Sequence, residues 1–194
     1  MFFFCKIKNL AYLIKDSFFY FRSNRNGIAS IEFAIILPLV TILFVSVIEL
    51  SWAITVNRRV HQITNLTADL IARRANTTTS ELDSIFNVHA ILMKPYEVEP
   101  LELIATHVIS DTSGSKVCWS HSNKEGLVAY EAGSPYTLPV GILGSNQGLV
   151  VVETEYLYQP ILFSVLTETN IPFREKLFLA PRTSSKILLN DEQC

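Results

Sequence analysis

Between Phe33 and Asn57 the chain carries one charge, Glu49, and between Phe33 and Ile48 it carries none. At about 1.5 Å per residue, a helix over those positions reaches roughly 37 Å, enough to cross a bilayer core of about 30 Å. Other apolar runs are too short for that. The longest, Ile161 to Leu166, reads as a short helix or loop packed on a sheet. The sequence therefore predicts a chain with a single transmembrane helix, placed over 28–57.

A chain of 194 residues has room for one domain and an anchor, and its apolar share of 49% suits that combination. Lys6, Lys8, Lys15, Arg22 and Arg25 precede the span against Asp16 alone, while Arg58 and Arg59 follow it. The positive-inside rule then predicts a cytoplasmic N-terminus and an exported C-terminal part. A secretory signal peptide fits less well, because no small-x-small site closes a short apolar region. Cys5 follows Phe2-Phe3-Phe4 rather than small residues, which argues against a lipoprotein signal. The aromatic-rich leader reads as an interfacial segment or as the product of a misplaced start.

Asn26-Gly27-Ile28-Ala29-Ser30-Ile31-Glu32-Phe33 runs directly into Ala34-Ile35-Ile36-Leu37-Pro38. A carboxylate thus sits at the fifth residue after a glycine, at the mouth of a span, where charge is costly and calls for a functional reason. The arrangement resembles the processing site of type IV pilin-like proteins. The longer string from Gly27 to Pro38 is similar to that of the TadE-like pseudopilins of tight-adherence (Flp) pilus systems. Val117-Cys118-Trp119-Ser120, the Tyr156 to Pro160 region and the terminal cysteine also look like members with a longer periplasmic domain. The resemblance implies a minor pilin-like component, cut by a prepilin peptidase between Gly27 and Ile28. It implies that Glu32, followed by Phe33, faces the freed amine of a neighbouring subunit. Expected partners are the prepilin peptidase, other pilin-like subunits, the Tad secretion platform and a TadG-like companion. The expected location is the inner membrane, crossed once, with a role in surface adherence. Cleavage removes five basic residues and one acidic, leaving eleven basic against seventeen acidic. No basic field is then left to neutralise phosphates, so nucleic-acid binding is not expected.

Within the span, Pro38 removes a backbone hydrogen bond and is expected to kink the helix. Glu49 lies near the outer end, and two readings stand: a solvated end, or a partner for another subunit. Beyond it, Val56, Val60, Ile63, Thr67 and Leu70, with Ile71 alongside, make an apolar stripe opposite Asn57, Arg58, Asn65, Asp69 and Arg73. Segment 58–75 is thus expected to continue the helix amphipathically, with its stripe as core. Asn76 to Ser80 breaks it. Thr78 and Glu81 match a capping box opening a second helix to about Met93. Strands are expected at 101–110, 116–121, 148–157 and 186–189. The predicted fold is α+β: a long N-terminal transmembrane and juxtamembrane helix packed on a small antiparallel-sheet periplasmic domain, pilin-like, over 76–194. The leader is 1–27.

With the leader removed, Cys118 and Cys194 are the two cysteines left in an oxidising compartment and are expected to pair. His61, His89, His107 and His121 show no zinc spacing, so no metal or other cofactor is expected; His61 sits on the helix and the others read as ordinary surface or strand residues. Ser113-Gly114-Ser115-Lys116 matches Ser-x-x-Lys, but the companion motifs of that enzyme class are missing and no other catalytic fingerprint occurs. No enzymatic activity is expected. The competing class is a single-span anchored periplasmic binding or sensor module without a pilus role. It would need more cytoplasmic sequence than the roughly 27 residues before Ile28.

Overall fold

The computed structural model describes residues 26–111, 114–139, 141–142, 144, 147–160 and 170–192. In chain order these form α1 (Asn26–Ala72), β1 (Asn76–Thr77), α2 (Thr79–Met93), β2 (Leu101–Asp111), β3 (Gly114–Ser122), β4 (Gly148–Tyr158), β5 (Ile171–Leu179) and β6 (Leu188–Leu189). The run Ile161 to Leu166 lies outside the described residues. The chain divides into two compact units, one ending at Ile48 and the other beginning at Glu49. The second unit therefore takes in the last turns of the segment expected to lie in the membrane.

The described part of the first unit is helix alone, with Pro38 inside it. Its large side chains are exposed on every side; Ile31, Phe33, Leu39 and Phe44 are all more than 60% accessible. A helix that is apolar all round and covered by nothing is matched to lipid rather than water. Two of its polar side chains are satisfied within the helix, since the Thr41 and Ser46 hydroxyls donate to the Leu37 and Ile42 carbonyls at 2.8 Å. Among the described residues this is the one helix long and apolar enough to cross a membrane.

In the second unit, α1 turns one stripe inward: Val56, Val60, Ile63, Thr67 and Ile71 are fully buried. Leu70, expected on that stripe, is 39% exposed. It lies about 100° round the helix from Ile71, outside the buried face. The α2 capping box forms as expected: the Thr78 N–H donates to Glu81 at 3.0 Å and the Glu81 N–H to Thr78 Oγ1 at 3.3 Å. That hydrogen bond, with Arg74 2.8 Å away, holds the Glu81 carboxyl below the usual range. At the other end of α2, Arg59 donates to the Leu92 and Lys94 carbonyls at 2.5 and 2.7 Å, while the Ile91 and Met93 carbonyls accept from the Lys94 and Tyr96 N–H groups.

The sheet has order β3-β2-β4-β5 and is antiparallel throughout. Leu101, Leu103 and Ala105 join Val150, Val152 and Tyr156 in the cluster that includes the helix stripes; Val108, Val117, Leu149 and Val151 form a smaller cluster with Tyr136. This is an α+β fold. Two strands differ from expectation. β5 was not foreseen, because Pro172 and the consecutive charges Arg174, Glu175 and Lys176 mask its alternation of Phe173, Leu177 and Leu179. The strand expected at 186–189 shortens to Leu188–Leu189 and pairs in parallel with β1, cut from a segment that reads as a helix breaker.

Candidate functional site

Gly27 is the second residue of α1. A Cβ placed on it would meet nothing within 4 Å, and its φ is not positive. Glycine inside a helix costs up to about 1 kcal/mol relative to alanine. Among the described residues, packing and backbone therefore give no reason for glycine here. Four residues beyond Ile28, on the same helical face, stands Glu32, exposed and without an ion pair or hydrogen bond to any described residue. Ile28 and Phe33 are 54% and 64% exposed. Pro38 sits one turn further on without ending the helix; its missing N–H leaves the Ala34 carbonyl without its usual donor.

Glu49 is not the solvated end that one reading of the sequence expected. It is only 5% exposed, and the Tyr158 hydroxyl donates to its Oε1 at 2.8 Å. Its partner belongs to its own chain, because β4 brings Tyr158 back beside α1 where the uncharged run ends. Tyr158 also stacks on Phe173, with ring centroids 5.6 Å apart. Burial, and then the neighbouring carboxylate, push the Tyr158 hydroxyl above its ordinary range. A tyrosine 109 residues away leaves no local sequence signal, which is why it went unforeseen.

Cys118 is disulfide-bonded. On β2, His107 and Val108 are consecutive, yet they oppose Trp119 and Val117 on β3, so Cys118 is the extra residue of a β-bulge. Cys5, Cys194 and Ser113 lie outside the described residues. Leu189 and Glu192 line a cavity together with Cys118 and Trp119.

The segment leading there is fastened along its length. Arg182 pairs with Asp69 at 2.7 Å, the Thr183 hydroxyl donates to the Arg73 carbonyl at 2.8 Å, and Asn76 bonds Asp191. Fully buried Ile187 donates its N–H to His107 Nε2 at 3.2 Å, while its carbonyl accepts from the Trp119 indole at 2.8 Å.

Two histidines expected to be ordinary surface or strand residues are in the core: His89 on α2 and His107 on β2 are 1% and 0% exposed. Burial lowers both to a pKa of about 4. Their pattern fell on apolar stripes, where polar residues are easily misread. His121 instead reaches Asp83 at 2.7 Å. Among the described residues no group of His, Cys, Asp and Glu is placed to hold a metal ion.

No curated protein and no solved structure matches the chain. The family model described as TadE-like protein matches residues 27–69, from the glycine of the processing pattern to the buried stripe of α1. Over those residues the chain is similar to TadE-like proteins.

Proposed function

We propose that the chain is a minor pilin-like component needed to assemble tight-adherence (Flp) pili, matured by a prepilin peptidase that cuts after Gly27. The observation that carries this reading is the pair Gly27 and Glu32: neither packing nor backbone conformation calls for the glycine, and no described residue engages the carboxylate. Both answer to something outside the chain. A peptidase that needs a residue without bulk at the scissile bond explains Gly27. A neighbouring subunit presenting the freed Ile28 amine explains Glu32, because an ammonium and a carboxylate at the membrane mouth offset each other's desolvation.

In this reading α1 crosses the inner membrane once, with the basic leader in the cytoplasm and the unit from Glu49 in the periplasm. Residues 28–48 alone reach about 31 Å, the thickness of the bilayer core. We read Cys194, the other cysteine left once the leader is cut, as the partner that closes the disulfide with Cys118; Glu192 lines one cavity with Cys118. Its partners are the peptidase, other pilin-like subunits, the Tad secretion platform and a TadG-like companion, and its output is surface adherence.

Mass spectrometry of the chain extracted from membranes tests the core of the proposal. The expected N-terminus is Ile28. A chain beginning at Met1 in cells with active peptidase overturns the processing step.

A further inference from the structure

We propose that the end of the second unit at which Glu49 lies is itself seated in the lipid interface, through Leu50, Trp52 and Ile54 on α1 and Leu157 and Ile171 at the end of the β4–β5 pair. The proposal rests on the reading of α1 as a membrane span.

Leu43, Val47, Leu50 and Ile54 fall at spacings of four, three and four, one stripe of the helix, and are 64%, 54%, 61% and 46% exposed. The apolar surface of the span therefore continues past Ile48 without a break, for roughly 9 Å as far as Ile54. Polar residues take over at Asn57 and Arg58. The sheet contributes at the same level. The Tyr158–Glu49 hydrogen bond fixes the end of β4 beside the start of the unit. Leu157 precedes Tyr158, Ile171 is its register partner on β5, and both are 41% exposed. Apolar side chains thus emerge from helix and sheet at one end.

The one ionisable group on α1 that would oppose immersion there is Glu49, and it is turned inward under Tyr158. An exposed carboxylate would oppose burial in lipid there. Tryptophan favours the headgroup level, and Trp52 is exposed here. Glu97, Glu99 and Lys124 line the neighbouring cleft with Tyr158, and the Lys124 ammonium is engaged by the Glu99 carbonyl. The cleft is acidic on balance, so the seating runs on apolar area and does not require anionic lipid.

The test uses the full chain in phosphatidylcholine vesicles whose acyl chains carry bromine at a shallow or a deep position. Trp52→Phe, which keeps only buried Trp119, sets the baseline. Emission from Trp52, and from a Leu157→Trp probe in the Trp52→Phe background, should be roughly halved by shallow bromine, as expected for groups within about 5–10 Å of the headgroup boundary. A Phe44→Trp probe in the same background reports the span and should be quenched by deep bromine. Quenching at position 44 without quenching at position 157 overturns the seating and leaves the span intact. No quenching at position 44 removes the span and the seating together. A probe at position 157 shielded from both bromine and aqueous acrylamide means that another chain covers this end, which also overturns the proposal.

Discussion

The Tyr158 hydroxyl lies 2.8 Å from the Glu49 carboxylate and donates to it, joining the end of β4 to the first residue of the compact unit on α1. The bond is buried, so removing its donor leaves a polar group without its partner away from water. Tyr158→Phe keeps the ring stacked on Phe173 but removes a donor from the carboxylate. The expected loss is about 1–3 kcal/mol, read as a lower thermal midpoint in detergent micelles. Glu49→Gln keeps an acceptor and should lose less. Equal midpoints for wild type and Tyr158→Phe would show that this contact does not hold sheet to helix.

Stability should fall with acid in a defined window. His89 and His107 have folded pKa values of about 4, because burial disfavours their charged forms. Unfolded, they take up protons near pH 6.5. The unfolded state therefore binds more protons as pH falls below 6.5, and stability present above that value is lost down to about pH 4. By pH 5 the linkage amounts to about 2 kcal/mol for each histidine. Lys186 adds repulsion at His107. Urea unfolding between pH 7 and pH 4.5 should show the decline, and His107→Gln, whose carbonyl can still accept from the Ile187 N–H, should make it shallower. An unchanged slope in that variant would place the acid sensitivity elsewhere.

What could be read from the chain follows from how local each signal is. The uncharged run, the Thr78–Glu81 cap and the strands at β2, β3 and β4 rest on neighbours in sequence, and the structure carries them within a residue or two. β5 was hidden because its apolar residues alternate with an unbroken block of charge, Arg174 to Lys176. β1 and β6 form from two residues each and exist only because segments 112 residues apart meet. At the site, Gly27, Glu32 and Pro38 are legible as a motif, whereas the Glu49 partner and the His107–Ile187 contact depend on tertiary pairing and leave no spacing to find.

Gly148 is the glycine that packing does require. A Cβ there would lie 2.5 Å from His107 Cε1 and 2.6 Å from the Ser185 carbonyl oxygen. The carbonyl is backbone, so Gly148→Ala should push the 182–191 segment off His107 and Trp119 and destabilise by about 1–3 kcal/mol. Limited proteolysis offers the readout: cuts near Ser185 should appear earlier than in wild type. Identical digestion patterns would show that the segment adapts without leaving its seat.

Gly27 and Glu32 should separate processing from assembly. In Gly27→Ala the new Cβ meets nothing within 4 Å, so the fold and its thermal midpoint should be unchanged while cleavage is blocked. Normal stability with lost processing distinguishes recognition by a peptidase from damage to the helix. Glu32→Ala should do the reverse, leaving cleavage intact. It should impair incorporation, because the freed amine of a neighbouring subunit would meet no carboxylate at the membrane mouth. An uncompensated ammonium there costs a few kcal/mol, which corresponds to at least about tenfold weaker association. Immunoblots for the two chain lengths, read beside counts of surface pili and adherent cells, give both results from one set of strains. Full piliation with Glu32→Ala would show that the carboxylate takes no part in subunit pairing, and the exposed position of Glu32, engaged by no described residue, would then need another explanation.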